Sequence, residues 1–226
     1  MTLEKINLGD AWSDKSLLEF YQTNRNSYAG LYPSEKLFID RILKNDSSYI
    51  DLGCALGGFS KVLKEKLSNY KYTGIDVSEK MINQALAINE SSHKFIHCPQ
   101  GIADSNLKIT SDYVICLGFL HLHQEWRKTL QWAFEHCKKG LVFDLRETHS
   151  KTIEDISSSS FNTHFNDSKK EEFLLPYNII NCGESSEILN NFLTPNCKTY
   201  QYGYLQEARN NNGRKVWMKT YFIEKL

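Results

Sequence analysis

No stretch of this 226-residue chain approaches the roughly 18 or more consecutive apolar residues of a membrane-spanning helix. Its first residues, MTLEKINLGDAWSD, lack the apolar core of a secretory signal, so a cytoplasmic location is the expectation. Net charge is absent too: 27 Lys and Arg balance 27 Asp and Glu. A partner held by bulk charge, such as nucleic acid, is therefore not expected, although a local basic patch stays compatible. No C-x-x-C pair occurs among Cys54, Cys98, Cys116, Cys137, Cys182 and Cys197. That removes zinc-ribbon and dithiol-redox readings and leaves reduced, buried thiols. No internal repeat is present. What is there is ordinary globular composition, 41% hydrophobic and 24% charged, at a length that suits one large domain.

The order of elements is informative. Residues 1–33 are polar with scattered aromatics, and Leu17, Leu18 and Tyr21 stand at helical spacing. Pro33 and Ser34 read as a helix start, with Leu37, Phe38, Ile42 and Leu43 as its apolar stripe. Short strands are predicted at 49–52, 70–75, 95–98, 113–117 and 141–145. Helices alternate with them: one through Phe59, Val62 and Leu63, one capped by Ser78, and one over 126–137 closed at Gly140. Such alternation implies βαβ units and a parallel sheet, with ligand-binding loops at one edge. The pattern breaks after Glu147. Residues 149–175 read as an insertion, a lid or a poorly packed helix. A helix capped by Ser185 follows, then two alternating, tyrosine-rich strands around Asn210–Gly213 that read as an antiparallel pair.

The chemistry is concentrated in Asp51-Leu52-Gly53-Cys54-Ala55-Leu56-Gly57-Gly58, between a strand and a helix. Glycines there let a ligand approach the backbone, and the helix start offers free N–H groups. Asp76 ends the next strand, where a carboxylate can accept both hydroxyls of a ribose. The spacing Gly53-x-Ala55-x-x-Gly58 is a damaged dinucleotide fingerprint. Asp51 opposes that reading. A carboxylate two residues before the first glycine suits an ammonium group, whereas a pyrophosphate about 4 Å away would cost on the order of 4 kcal/mol.

These segments resemble the class I S-adenosylmethionine-dependent methyltransferases. Residues 49–57 match the family's first motif, Gly74-Ile75-Asp76-Val77-Ser78 the second, residues 112–121 the fourth-strand motif and Leu141 to Asp144 the fifth strand. The resemblance implies a Rossmann-like fold: a mostly parallel seven-stranded sheet with an antiparallel C-terminal strand and helices on both faces. It implies one domain over 1–226: a cap or lid (1–33), a cofactor core (34–148), an insertion (149–175) and a closing helix and hairpin (176–226). S-adenosylmethionine is the implied cofactor, S-adenosylhomocysteine the product, and a small molecule the acceptor. The chain departs from the family at Ala55, where a glycine is usual, and in the third motif, which has no acid. Gln100, a backbone group or Asp104 is left to meet the adenine.

The implied cofactor residues are Asp51, Gly53, Cys54, Ala55, Gly57, Asp76, Val77, Gln100 and Leu117. His121 and His123 follow the fourth strand, where a general base would stand, and their H-x-H spacing alone makes no metal site. Tyr21, Tyr28 and Tyr32 from the cap, and Arg146, Glu147 and His149 after the fifth strand, are the candidate acceptor-binding residues. An NAD-linked oxidoreductase and a non-catalytic cofactor-binding subunit are the alternatives.

Overall fold

The computed structural model describes residues 8–12, 15–162, 174–192, 196–206 and 215–226. Its centre is a sheet of β1 (Ser47–Leu52), β2 (Tyr70–Asp76), β3 (Lys94–His97), β4 (Ser111–Cys116), β5 (Cys137–Thr148), β8 (Ile180–Asn181), β9 (Cys197–Gln206) and β10 (Val216–Lys225). The path runs β3-β2-β1-β4-β5-β10-β9, with β8 beside β5. Pairs from β3 to β5 are parallel; β10 is antiparallel to both β5 and β9. The fold expectation is met, with the short β8 as an eighth strand. No described helix is long and apolar enough to cross a membrane.

Strand alternation builds one core on each face. Ile50, Leu52, Val114, Cys116, Phe143 and Leu145 face one way, against Trp126 and Leu130 of α6 (Trp126–His136) and Leu189 of α7 (Cys182–Phe192). Tyr49, Tyr113, Ile115 and Val142 face the other way. They meet Phe38, Ile39 and Ile42 of α3 (Pro33–Ile42), and Phe59, Val62 and Leu63 of α4 (Gly58–Lys66). The helix α5 (Glu79–Ile88) starts as expected, with Ser78 Oγ accepting the Met81 N–H at 3.3 Å. Two short N-terminal helices, α1 (Leu8–Ala11) and α2 (Lys15–Thr23), put Leu17 and Leu18 of α2 against Leu56 and Met81.

Three expectations are corrected. Gly140 does not close α6, because the helix gives way to β5 already at Cys137. Gly140 lies in that strand, where a Cβ would stand 2.7 Å from the Phe222 ring. Ser185 does not start α7 either. Asn181 Oδ1 accepts the Gly183 N–H at 2.8 Å, and the helix begins at Cys182. The described part of the insertion is strand and turn rather than helix: β6 (Ser160–Asn162) pairs with β7 (Leu174–Pro176), and Ile153 bridges Ile179. Residues 163–173 and the expected turn at 210–213 lie outside the described residues.

Candidate active site

The loop between β1 and α4 is shaped by left-handed backbone. Gly57 has φ 74° and precedes α4. A Cβ there would stand 2.7 Å from the Phe95 ring. Gly57→Ala is expected to cost about 2–3 kcal/mol from strain and overpacking. That would lower the melting temperature by roughly 5–10 °C at this length, as a thermal unfolding curve would read. Ala55, at the family's usual glycine, also has positive φ (45°). Its cost is therefore conformational, and its N–H is held by Asp76 Oδ2 at 2.9 Å.

This loop separates two adjoining chambers above the C-terminal ends of the strands. The first is a cleft of about 640 Å³, partly open to solvent, lined by Trp12, Ile75, Val77, Met81, Cys98, Ile102, Phe119 and Leu122, with Asp76 among them. The second, also partly open to solvent, spans about 600 Å³ and carries Asp51, Cys54, Leu117, Asn24 and Arg25. Tyr21, Gly53, Ala55 and Gly118 belong to both, so α2 brings Tyr21 to the junction. Burial and Asp76 push the Tyr21 phenol up to about 12, so it stays a hydrogen-bond donor at neutral pH.

Asp51 and Asp76 mark the two chambers. Asp76 Oδ1 takes the Ser78 N–H at 2.9 Å and Oδ2 takes that of Ala55. Burial raises its carboxyl, and these N–H groups lower it again. Each oxygen still has a lone pair for a hydroxyl. Asp51 accepts the Tyr72 hydroxyl at 2.7 Å, and burial pushes its carboxyl up to about 7. Cys54 supplies backbone, its N–H meeting the Ile75 carbonyl at 3.1 Å. Burial raises its thiol well above the usual range, which opposes a nucleophilic role.

Several sequence candidates stand elsewhere. Gln100 and Asp104 are exposed and line neither chamber, so the acid-free third motif leaves an apolar wall of Cys98 and Ile102. Tyr28 bonds Asp40 at 2.7 Å and sits under Lys66, on the outer side of α3. Tyr32 is 43% exposed at the start of α3, its ring under the Arg25 guanidinium. Glu147 and Arg146 are neighbours on β5 and therefore face opposite ways. Glu147 accepts the Tyr221 hydroxyl and pairs with Lys219 at 2.7 Å. His149 lies edge-on to Trp217 beside Cys182.

His121 and His123 are both buried, and neither lines a chamber. Burial drives His121 well below the usual histidine range, with Arg146 and Arg25 adding to it, and brings His123 down to about 4. His123 stacks on Phe119 at 5.3 Å and holds that wall. Both imidazoles are neutral at pH 7 and weak as bases. The residue the sequence reading missed is Arg25. It sits in left-handed backbone at φ 57°, pairs with buried Glu35 at 2.5 Å and lines the second chamber. Its only sequence signal is a cation among aromatics in a polar segment.

A parallel sheet in this order, with a glycine loop after its first strand and an acid ending its second, is the Rossmann-like arrangement, whose ligand-binding edge is the one that carries these two chambers. Residues 50–143 match a family model described as a methyltransferase domain. That match runs from β1 into β5, less than half of the chain, and supports the resemblance to class I S-adenosylmethionine-dependent methyltransferases. No curated protein matches it significantly in sequence.

Solved structures share its fold. A S-adenosylmethionine-dependent methyltransferase from Clostridium acetobutylicum is 13% identical over 85% of this chain and 90% of its own, with TM-score 0.55. Magnesium protoporphyrin IX methyltransferase from Synechocystis, with bound S-adenosylmethionine, is 13% identical over 100% of both chains, at 0.56. A didemethyltoxoflavin N-methyltransferase from Burkholderia thailandensis is 11% identical over 86% of this chain and 77% of its own, at 0.53. At these identities the likeness is one of fold.

Proposed function

We infer that this protein transfers the methyl group of S-adenosylmethionine to an oxygen, nitrogen or carbon nucleophile of a small molecule, releasing S-adenosylhomocysteine. The observation that carries this reading is the pair of chambers with Asp51 in one and Asp76 in the other, joined at Gly53 and Ala55. Adenosine suits the first, whose apolar walls can take a base while Asp76 accepts ribose hydroxyls. The amino-acid end suits the second, where Asp51 meets an ammonium group. Solved relatives of the same fold that carry this cofactor or its product, and that act on a porphyrin or a toxoflavin precursor, support a small-molecule acceptor.

When bound, S-adenosylmethionine supplies an electrophilic methyl group on sulfur. The chain's task is then alignment. Gly53, Cys54, Ala55 and Gly57 shape the loop, Val77 and Leu117 form walls, and Tyr21 closes the junction of the chambers. Holding acceptor and methyl donor in line can remove roughly 7–11 kcal/mol of barrier. With His121 and His123 buried as weak bases, the reading favours an acceptor that is already nucleophilic. It takes the chain as one domain whose described N-terminal residues, 8–12 and 15–33, cover the cleft.

The test is thermal unfolding with S-adenosylhomocysteine, S-adenosylmethionine or NAD(H). Ligand at about 100 times its dissociation constant adds roughly 2.7 kcal/mol, or about 5–10 °C here. The two sulfur nucleosides should produce that shift. A shift with NAD(H) alone would replace this reading with an oxidoreductase.

A further inference from the structure

Two buried nitrogens near the loop after β4, on residues that line neither chamber, have no hydrogen-bond partner: Arg146 Nε and His121 Nδ1. Their residues are 6% and 7% exposed. Arg146 is anchored at the end of β5, donating from Nη1 to Asp144 Oδ2 at 2.5 Å. Asp144 Oδ1 in turn accepts the Gly118 N–H at 2.6 Å, which ties the guanidinium to the loop that lines the chamber. His121 stands a few residues further along that loop, within the field of both Arg146 and Arg25. Tyr177 covers both groups. Its ring lies edge-on to His121 at 5.1 Å, and its phenol stands within the field of the Arg146 guanidinium.

We propose that Arg146 and His121 form a carboxylate-binding subsite for the methyl acceptor, and that the acceptor's carboxylate displaces the Tyr177 side chain. This rests on the methyltransferase reading and names its substrate class. The inventory of unmatched hydrogen-bond groups carries it. Both neighbouring acids are already matched, Asp144 by Arg146 and the Gly118 N–H, Glu35 by Arg25. What is left unmatched is a guanidinium N–H, which can only donate, and a neutral imidazole nitrogen. A ligand entering here must bring acceptor atoms. A cationic or apolar ligand would leave the buried N–H unsatisfied. A planar carboxylate offers two oxygens to the fork of Nε and its neighbouring nitrogen.

The backbone around Tyr177 is held in place. Its N–H meets the Ser159 carbonyl at 3.2 Å, and Asn178 is bonded to the His121 and His123 carbonyls at 2.7 and 2.8 Å. Displacement is then a rotation of the half-buried side chain out of its packing with Ile153, Ile179 and Val216.

The experiment uses the full chain saturated with S-adenosylhomocysteine, with benzoate and benzamide as matched probes in thermal unfolding and calorimetry. Benzoate should raise the melting temperature and benzamide should not. Arg146→Met should abolish that difference while S-adenosylhomocysteine still binds, and Tyr177→Phe should tighten benzoate several-fold by freeing Arg146. Equal responses to the two probes in the unaltered protein overturn the proposal. So does a benzoate preference that survives Arg146→Met. Should Arg146→Met fail to fold, benzoate affinity unchanged in Tyr177→Phe overturns it. An unaltered protein that binds no S-adenosylhomocysteine sinks the methyltransferase reading, and this proposal with it, and is read directly from the calorimetry without either probe.

Discussion

Asp76→Ala is expected to weaken S-adenosylhomocysteine binding by at least about 100-fold, measured by calorimetry at pH 7.5. Two losses combine. A charge-assisted hydrogen bond contributes about 1.5–3 kcal/mol, so two ribose hydroxyls without their acceptor lose roughly 3–6 kcal/mol. At about 1.4 kcal/mol per tenfold, the lower figure already exceeds 100-fold. The second loss is structural. Asp76 receives the N–H groups of Ala55 and Ser78, each at 2.9 Å, so the variant unties the glycine loop from the end of β2. Melting temperature should fall with it. Asp76→Asn separates the two effects, because one amide oxygen keeps a single acceptor and retains part of each. Affinity unchanged in Asp76→Ala would move the ribose elsewhere and undo the assignment of the first chamber.

Asp76 and Asp51 were legible in the sequence because their geometry is local. Each stands at or near the end of a strand, next to a turn whose glycines can be read directly, and the family motifs repeat that arrangement. The strands were legible for a related reason. Runs such as Tyr113 to Leu117 are too continuously apolar to be half exposed, and the structure covers them on both faces. Boundaries were harder. Gly140 after two lysines carries a helix-stop signal, yet pairing of β5 with β4 begins already at Cys137 and that with β10 at Gly140 itself, which outweighs it. The faces of side chains beyond the fifth strand were not legible at all. Arg146 and Glu147 are adjacent and equally polar, and only strand parity decides which one looks towards α3. Arg25 was missed because its partner, Glu35, and its neighbour Gly118 come from other elements. The burial of the histidines after β4 was not legible, since it depends on Tyr177 and Phe119, residues with no sequence relation to an imidazole.

Affinity for the cofactor should also depend on pH, with a midpoint set by Asp51. In the free protein burial holds this carboxyl at about 7, against about 3.9 for an ordinary aspartate. An ammonium group prefers the ionised form, so binding draws the carboxyl down and releases a proton. The sign follows: affinity is on its plateau above pH 7 and falls about tenfold for each unit below it, or on the order of 100-fold at pH 5. Folding responds in the opposite sense. A carboxyl whose folded value lies above its unfolded one binds more protons in the native state, so through this group the free protein gains stability as pH falls from 7 towards 4. Weakened binding at pH 5 is thus not a sign of an unfolding protein if the Asp51 contribution is isolated. Asp51→Asn isolates it. The amide keeps an acceptor for Tyr72, removes the titration, and should bind S-adenosylhomocysteine equally weakly from pH 5 to 8. Calorimetry over that range in both proteins decides the matter. Parallel profiles for the two would assign the pH dependence to another group and leave the ammonium without its partner.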